Sequence, residues 1–426
     1  MSDFMLKYLE DIEAIHERGT NFLRNLEATM REDRANHVLD DSSDVVRNRV
    51  MNRRWRIQDV ASLVGVNSTT IARKEKNGQL SPPDMYECNG SQRRLGYTLS
   101  QINDIRSHYN LIPSRGNGQP CVLSIQNFKG GSWKTTLTLL LGQWLALQGY
   151  RVLFIDSDPQ GTLSFCMGQR PDYDTSYEDT IAPYLIMDSE YGYEDLKYAV
   201  KKTHWPNIDI IGSNLGNADI DIQFPQLLYA AQTPSEMEFL LNRFRQGIET
   251  VYDDYDVVLI DGTPSLSTTT ICQFSAGDVC IMPVPAQMLD FASTLQFIQS
   301  TAQNVRSYID NGIDIALPDI YTMITRFSER SYAEGITQVI KQTFGGYCLP
   351  NPLHKNDEIG KRDSLMCTIY EEVSKNINNR SSYNRALNML EQAFTPILRD
   401  IIQPFWFSTA VDSQQDNELQ VEGAGA

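Results

Sequence analysis

The chain has 426 residues, a formal net charge of −17 and a hydrophobic fraction of 41%. That length exceeds one ordinary hydrophobic core, so two or three domains are expected. The sequence shows no apolar run long enough to span a bilayer, no secretory signal and no zinc spacing among its seven cysteines, so we expect a cytoplasmic protein with reduced thiols.

Positive charge is concentrated towards the N-terminus. Residues 45–106 contain eleven Lys or Arg and five Asp or Glu, a balance of +6, which leaves about −23 for the rest of the chain. Binding of nucleic acid needs only a local basic surface. DNA contacts are therefore expected in this region despite the acidic total.

Residues 1–44 have apolar side chains at roughly helical spacing and end in the polar run DDSSD. A helix with one apolar stripe must bury that stripe against another surface. Self-association into a homodimer and packing against the same chain are both open.

Residues 56–76, RIQDVASLVGVNSTTIARKEK, predict a helix-turn-helix. This motif needs a small residue in its first helix, a glycine at the turn and apolar anchors on both sides. The residues that meet these needs are Ala61, Gly65, Val66 and Ile71. Asn67 or Ser68 can cap the second helix. The candidate DNA-binding residues on that helix are Ser68, Thr69, Thr70, Arg73 and Lys74.

The segment that follows predicts a small wing, on which Arg93 and Arg94 are further candidate DNA-binding residues, and then a third helix. Residues 45–112 as a whole resemble the winged helix of MerR-like proteins. A small helical domain used only for packing is the alternative, and the local positive charge favours DNA binding. Residues 113–120, PSRGNGQP, hold two prolines and two glycines and are interpreted as a linker.

Residues 121–407 alternate short apolar runs with helical stretches. The strand-like runs are CVLSIQNF, RVLFIDSD, IDIIGS, YDVVLIDG, DVCIMPVP and DIYTMITRF. Strands that are apolar throughout predict an α/β fold, with a mostly parallel sheet covered by helices on both faces. Residues 408–426 are polar and acidic and are predicted to be a disordered tail.

The sequence KGGSWKTT follows the first of these strands and opens a helix. A nucleoside triphosphate needs backbone N–H groups at a helix N-terminus, a lysine for the β- and γ-phosphates and a hydroxyl for Mg²⁺. Lys134 supplies the charge and Thr135 the hydroxyl. The predicted nucleotide-binding residues are Lys129, Gly130, Gly131, Ser132, Trp133, Lys134, Thr135 and Thr136. ATP and Mg²⁺ are therefore the expected cofactors.

The general P-loop pattern GxxxxGK[ST] fails, because Phe128 and Trp133 stand at its glycine positions. The alternative pattern KGGxxK[ST][ST] fits throughout. It resembles the deviant Walker A loop of the ParA/MinD ATPases, and the resemblance implies that Lys129 reaches the phosphates of a partner subunit. Trp133 departs from the usual glycine of that family.

Three carboxylates end two of the predicted strands, where ligands bind in this kind of sheet. By resemblance, Asp158 in the sequence DPQ orients or deprotonates the attacking water, and Lys129 and Asp158 are the catalytic residues. Asp261 corresponds to the Walker B aspartate, and Asp156 is expected near the metal. The predicted Mg²⁺ residues are Thr135, Asp156 and Asp261.

Together the winged helix, the loop, the strand-end carboxylates and the segment PVPAQMLDFAS at 283–293 resemble the larger, type Ia ParA partition ATPases. The resemblance implies an ATPase that dimerises on ATP, binds operator and nonspecific DNA, associates with the nucleoid, represses its own operon and is stimulated by a ParB-type partner. A nucleotide-responsive repressor without a segregation role is the alternative. A MinD-like membrane partner is not expected, since the tail is acidic.

Two weaker assignments concern the last third of the chain. The residues 349–357 are a candidate adenine pocket. The candidate residues for nonspecific DNA binding are Arg326, Arg330, Lys341, Lys355, Lys361 and Arg362, although a solvated charged surface explains them equally well.

Overall fold

The computed structural model describes residues 51–88, 90–265, 267–328, 331–356, 358–359, 367–371, 377 and 379–411. The expected N-terminal helix and most of the expected tail lie outside these residues. No helix in the described part of the chain is long and apolar enough to cross a membrane.

The described N-terminal region is built from two helices, a hairpin and a third helix. The elements are α1 (Ile57–Val64), α2 (Ser68–Lys76), β1 (Asp84–Cys88), the antiparallel β2 (Ser91–Gly96) and α3 (Leu99–His108). Gly65 ends α1 with a left-handed φ of 75°, which glycine adopts without steric cost. The Asn67 side chain caps α2 by accepting the Thr69 N–H at 2.9 Å. The turn between α1 and α2 is thus fixed by two local signals.

The remaining strands form one seven-stranded sheet in the order β5-β6-β4-β7-β3-β8-β9. The strands are β3 (Cys121–Ile125), β4 (Val152–Asp156), β5 (Val200–Lys202), β6 (Ile208–Ile211), β7 (Val257–Asp261), β8 (Val279–Pro285) and β9 (Asp319–Thr325). Every pairing is parallel except that of the edge strand β5 with β6. The predicted α/β fold with a mostly parallel sheet is confirmed. The strand β5 was not predicted, because a three-residue edge strand of sequence VKK has no apolar run.

The described helices of this part follow the strands in the order expected for parallel crossovers. They are α4 (Lys134–Gln148), α5 (Thr162–Cys166), α6 (Ala182–Leu185), α7 (Ala218–Ala230), α8 (Pro234–Glu249), α9 (Thr268–Ala276), α10 (Met288–Asp310), α11 (Ser331–Phe344) and α12 (Arg380–Ile397). Every residue of β3, β4 and β7 is buried, and so is nearly all of α4. Because these strands are buried along their whole length, their polar groups can contact a ligand only near the strand ends.

The C-terminal end of the described chain packs against the residues interpreted as a linker. The Trp406 indole N–H donates to the Asp256 carbonyl at 3.2 Å, and Thr409 Oγ1 accepts the Gln119 N–H at 3.0 Å. Helical structure continues to residue 411. The boundary of the disordered tail predicted at 408 is therefore wrong for its first four residues, because these contacts hold the helix end in place.

The N-terminal region formed by α1 to α3 is attached to the sheet domain through a buried arginine. Arg106 of α3 is 2% exposed. Its guanidinium donates to the carbonyl of Leu147, at the C-terminal end of α4, at 2.5 Å, and to that of Leu63, near the end of α1, at 3.3 Å. The terminal carbonyls of a helix have no partner within the helix, so this one cation satisfies carbonyls of both domains. Burial lowers the pKa of Arg106 to about 10, which leaves it charged at neutral pH.

We predict that Arg106→Met destabilises the protein by about 1–3 kcal/mol, because a buried and a partly buried helix-end carbonyl lose a charged donor while the packing volume is kept. Urea unfolding followed by circular dichroism measures the change. Arg399→Met is the matched control: that side chain is 67% exposed, and a shift below about 0.5 kcal/mol is expected. Equal, small effects of both substitutions would contradict the structural role of Arg106.

Candidate nucleotide and DNA sites

The loop between β3 and α4 brings the residues of the KGGSWKTT sequence around the N-terminus of a buried helix. Gly131 and Trp133 both have a φ of 75°, in the left-handed region. A bulky residue rarely adopts this conformation. Trp133 does so here while packing against the hydrophobic core, and its carbonyl accepts the Leu137 N–H at 2.8 Å, as the first bond of α4. The tryptophan at the usual glycine position therefore keeps the backbone turn that a glycine would supply.

The loop is held from both sides. On one side the Lys129 N–H donates to Asn127 Oδ1 at 3.1 Å, and the Asn127 amide donates to the Pro283 carbonyl at 2.9 Å. On the other side Thr325 Oγ1, at the end of β9, donates to the Ser132 carbonyl at 3.2 Å. These bonds fix the backbone before any ligand binds, so its amides are preorganised.

The two lysines of the loop have different surroundings. Lys134 is 7% exposed, and its Nζ donates to the Lys129 carbonyl at 3.4 Å. Burial lowers the pKa of Lys134, and the nearby carboxylates Asp261 and Asp158 oppose that effect. The Lys129 side chain is 43% exposed, and its Nζ lies 4.0 Å from Asp290 Oδ1. Lys134 thus lies inside the site, whereas Lys129 lies at its rim. Gly130 and Gly131 are exposed, and Thr135 and Thr136 are half-buried.

The carboxylates Asp156 and Asp261 lie side by side at the ends of β4 and β7, where the strand register pairs them. Both are fully buried. Burial raises the pKa of Asp156 to about 7 and that of Asp261 to about 8. The charge of Asp156 raises the pKa of Asp261 further, whereas the hydrogen bonds from Ser164 lower that of Asp156. Two carboxylates buried next to each other favour a bound cation, because the cation would compensate both charges.

The hydrogen bonds of the two carboxylates distinguish them. Asp156 Oδ2 accepts both the N–H and the hydroxyl of Ser164, at 2.8 and 2.7 Å, so its lone pairs are largely used. Asp261 Oδ1 accepts the Thr138 hydroxyl at 3.3 Å, and its Oδ2 is buried without a hydrogen-bond partner in the described residues. A buried oxygen without a hydrogen-bond partner, close to Thr135 at the start of α4, fits a hydrated Mg²⁺. Asp261 therefore fits the metal better than Asp156 does.

Asp158 follows β4 directly and is half-buried. Its Oδ1 accepts the Gln160 N–H at 3.0 Å, and its carbonyl accepts the Ser213 hydroxyl at 2.7 Å. The carboxylate is thus held by its own turn, and within the described residues its Oδ2 has no hydrogen bond.

The predicted DNA-binding residues lie on α2 and on the hairpin. Thr69, Arg73 and Arg93 are exposed, and Ser68, Thr70 and Lys74 are half-buried. Arg94 is 44% exposed and forms an ion pair with Glu75 of α2, which also contacts the Tyr97 hydroxyl. The hairpin is thereby tied to α2, so Arg94 has a structural contact in addition to any role on DNA.

Sequence reasoning missed three residues that the structure brings to the loop: Asn127, Thr138 and Arg326. Thr138 stands four residues after Lys134, so helical spacing could have placed it beside Asp261.

Arg326 was assigned to a nonspecific DNA surface, yet its Nη1 donates to the Gly131 carbonyl at 3.2 Å. Of the other residues given that assignment, Lys355 is exposed and Lys341 donates to the Pro350 carbonyl at 3.3 Å, whereas Arg330, Lys361 and Arg362 lie outside the described residues.

The candidate adenine loop runs beside β9. The Leu349 and Leu353 N–H groups donate to the carbonyls of Thr322 and Ile324, each at 2.8 Å, and Asp357 lies outside the described residues. The loop thus follows the strand whose end contacts Ser132.

The chain is similar to proteins of DNA partition in sequence and in fold. Protein SopA of Escherichia coli (strain K12) is 34% identical over 371 residues, which covers 86% of this chain and 92% of SopA. Chromosome partitioning protein ParA of Caulobacter vibrioides is 26% identical over 249 residues, 57% of this chain and 84% of that one. A solved structure of a partition protein covers 93% of this chain and 99% of its own, with a TM-score of 0.61 at 18% identity, which shows a shared fold. Residues 121–315 match the family described as an AAA domain.

A parallel sheet with a phosphate-type loop after one strand and buried carboxylates at the ends of two others defines a P-loop nucleoside triphosphatase. The identity to SopA, over most of both chains, shows that this chain belongs to the ParA family of partition ATPases.

We predict that the protein without nucleotide or Mg²⁺ loses stability as the pH rises. The folded-state pKa of Asp261 lies above its unfolded value, so the stabilisation is present below about pH 4 and is lost as the pH rises through about 8; Asp156 acts in the same direction. Asp261→Asn should flatten this dependence and raise the free energy of unfolding near pH 8 by at least about 1 kcal/mol.

Urea unfolding at several pH values in EDTA measures both effects. Asp310→Asn, at an exposed position on α10, is the matched control and should leave the slope unchanged. A wild-type protein that gains stability between about pH 5 and pH 8 would contradict the assigned burial of these carboxylates.

Proposed function

We propose that the protein is a Mg²⁺-dependent ATPase of DNA partition whose loop residues 129–136 bind ATP. The observation that carries the proposal is the buried Lys134 next to Asp261, which pairs with Asp156 at the strand ends and has an orphaned oxygen. Lys134 would neutralise the β- and γ-phosphates, and the backbone N–H groups of the loop would hold their oxygens. Thr135 and Asp261 would hold Mg²⁺, and Asp156 would support the site from its contact with Ser164. Bound Mg²⁺ would supply charge neutralisation of the phosphates.

Two further residues complete the proposed chemistry. Asp158 would orient or deprotonate the attacking water, because it lies beside Lys134 and its carboxylate keeps one oxygen open. Lys129 would act across a homodimer interface. Its exposed position at the rim of the loop supports this role, since a side chain that served only its own subunit would be expected inside the site.

The proposed partners are DNA and a ParB-type protein. The winged-helix region would bind an operator through α2 and the hairpin and repress the operon, while the ATP-bound dimer would bind DNA of any sequence and associate with the nucleoid. A ParB-type partner would stimulate the slow ATPase. The net positive charge of residues 45–106 supports the first of these roles, and the similarity to SopA supports the proposal as a whole. A repressor without a segregation role would show no stimulation by the partner.

We predict that Lys134→Ala and Asp158→Ala separate ATP binding from hydrolysis. The lysine change removes the charge that neutralises the phosphates, so ATP binding should be lost. The aspartate change leaves the phosphate and metal residues in place, so binding should persist while turnover falls by about 10²–10⁴. Binding of a fluorescent ATP analogue and release of phosphate measure the two steps. Normal ATP affinity of the Lys134 variant would contradict the assignment of residues 129–136 as the nucleotide loop. Equal losses of ATP binding and of turnover in the Asp158 variant would indicate a structural role for that residue.

We predict that the double substitution Arg73→Ala and Lys74→Ala weakens operator binding, each good base contact contributing about 1–3 kcal/mol. ATP-dependent binding to random duplex DNA should survive, since it would depend on a different surface. Filter binding with ADP and with ATP measures both activities. The double variant Arg380→Ala and Arg385→Ala removes the same charge from exposed positions on α12 and should bind operator normally. Loss of both activities in the α2 variant would indicate one shared DNA surface.

A further inference from the structure

Arg326, directly after β9, has an unusual backbone for its residue type. Its φ is 52°, which lies in the left-handed region. A bulky side chain in that region is uncommon and costs energy, and such residues persist where the surrounding structure holds them. The preceding Thr325 is fully buried and binds the Ser132 carbonyl, so the strand end is fixed against the loop. The backbone therefore aims Arg326 at the loop at a conformational cost.

The contacts of Arg326 leave most of its guanidinium open. Its Nη1 donates to the Gly131 carbonyl at 3.2 Å. A guanidinium has five N–H donors, and this bond uses one of them. A Cβ built on Gly131 would lie 3.9 Å from Nη1, so the guanidinium faces the exposed glycine of the loop without crowding it.

Arg326 also differs from the two lysines of the loop in its charge partners. Lys129 lies 4.0 Å from Asp290, and Lys134 is balanced by Asp261 and Asp158. Within the part of the chain that the structure describes, Arg326 has no ion pair and no further hydrogen bond. A cation without a protein counter-charge, placed on a phosphate-type loop, is suited to an anionic ligand.

We propose that Arg326 binds the polyphosphate of the nucleotide as a third cation of the site. This inference rests on the proposed function, because it takes residues 129–136 as the nucleotide loop. The guanidinium would reach over Gly131 and donate two N–H groups to phosphate oxygens, which a lysine cannot do with the same geometry. The residue belongs to the nucleotide site rather than to the DNA surface to which the sequence assigned it.

The test compares three substitutions. Arg326→Gln keeps a donor and removes the charge, Arg326→Lys keeps the charge and removes the planar fork, and Arg326→Gly relieves the left-handed backbone. Arg306→Gln, at an exposed position on α10, is the matched control for loss of one positive charge. Each protein is measured for affinity for a fluorescent ATP analogue with Mg²⁺, for thermal stability without nucleotide and for binding to random duplex DNA.

Arg326→Gln and Arg326→Gly should weaken ATP binding by about 10–100-fold, as expected for the loss of a charged hydrogen bond. Arg326→Lys should bind with an intermediate affinity that falls more steeply with salt. The melting temperature of nucleotide-free Arg326→Gly should be no lower than that of the wild type, since the strain is removed. The control should match the wild type throughout.

Three results would overturn the inference. Unchanged ATP affinity in Arg326→Gln and Arg326→Gly, with a wild type that binds, would exclude a contact with the nucleotide. Loss of thermal stability together with loss of ATP affinity in these variants would mean that Arg326 only stabilises the loop. Weakened DNA binding with intact ATP affinity would return the residue to the DNA surface. A wild type that fails to bind ATP would instead overturn the proposed function.

Discussion

A parallel sheet buried on both faces can place charged groups only at the ends of its strands, and this constraint governs the rest of the molecule. The strands β4 and β7 are apolar until their last residues, where Asp156 and Asp261 meet in register. Their burial raises both pKa values, so the fold accepts an electrostatic cost at this edge. Such a cost is offset when cations occupy the site, and Lys134 provides the first of them.

The helix α4 connects the candidate nucleotide site to Arg106. It begins at Lys134 in the loop, runs through the core and ends where Arg106 of the winged-helix region binds the Leu147 carbonyl. The same guanidinium holds the end of α1, next to the turn of the helix-turn-helix. One helix therefore connects the candidate nucleotide site to the contact with the candidate DNA-binding region.

Two residues at this loop have a strained backbone. Trp133 within the loop and Arg326 beside it both adopt left-handed conformations that bulky residues avoid. Core packing holds Trp133, and the bond from Thr325 to the loop holds the strand end that precedes Arg326. Strain of this kind is retained where surrounding contacts over-determine the backbone, which is typical of a site that is organised before its ligand arrives.

Local patterns in the sequence determined the elements and the identity of the loop. Six of the seven strands of the main sheet are apolar runs, and the turn between α1 and α2 is specified by Gly65 and Asn67. The lysines and glycines of the loop and the carboxylates of the strand ends were visible because each stands within a short local pattern, the loop sequence or an apolar run that ends in Asp. The net positive charge of residues 45–106 likewise follows from the amino-acid composition of that segment alone.

Only the tertiary structure decided which distant residues join these patterns. The edge strand β5 lacks an apolar run and exists because β6 offers it a free edge. Arg326 lies 195 residues from Gly131, and Arg106 lies 41 residues from Leu147. The unequal hydrogen bonding of Asp156 and Asp261 depends on Ser164 and Thr138. Contacts at such separations depend on strand order and helix packing, which act through burial of the whole sheet rather than through any local signal.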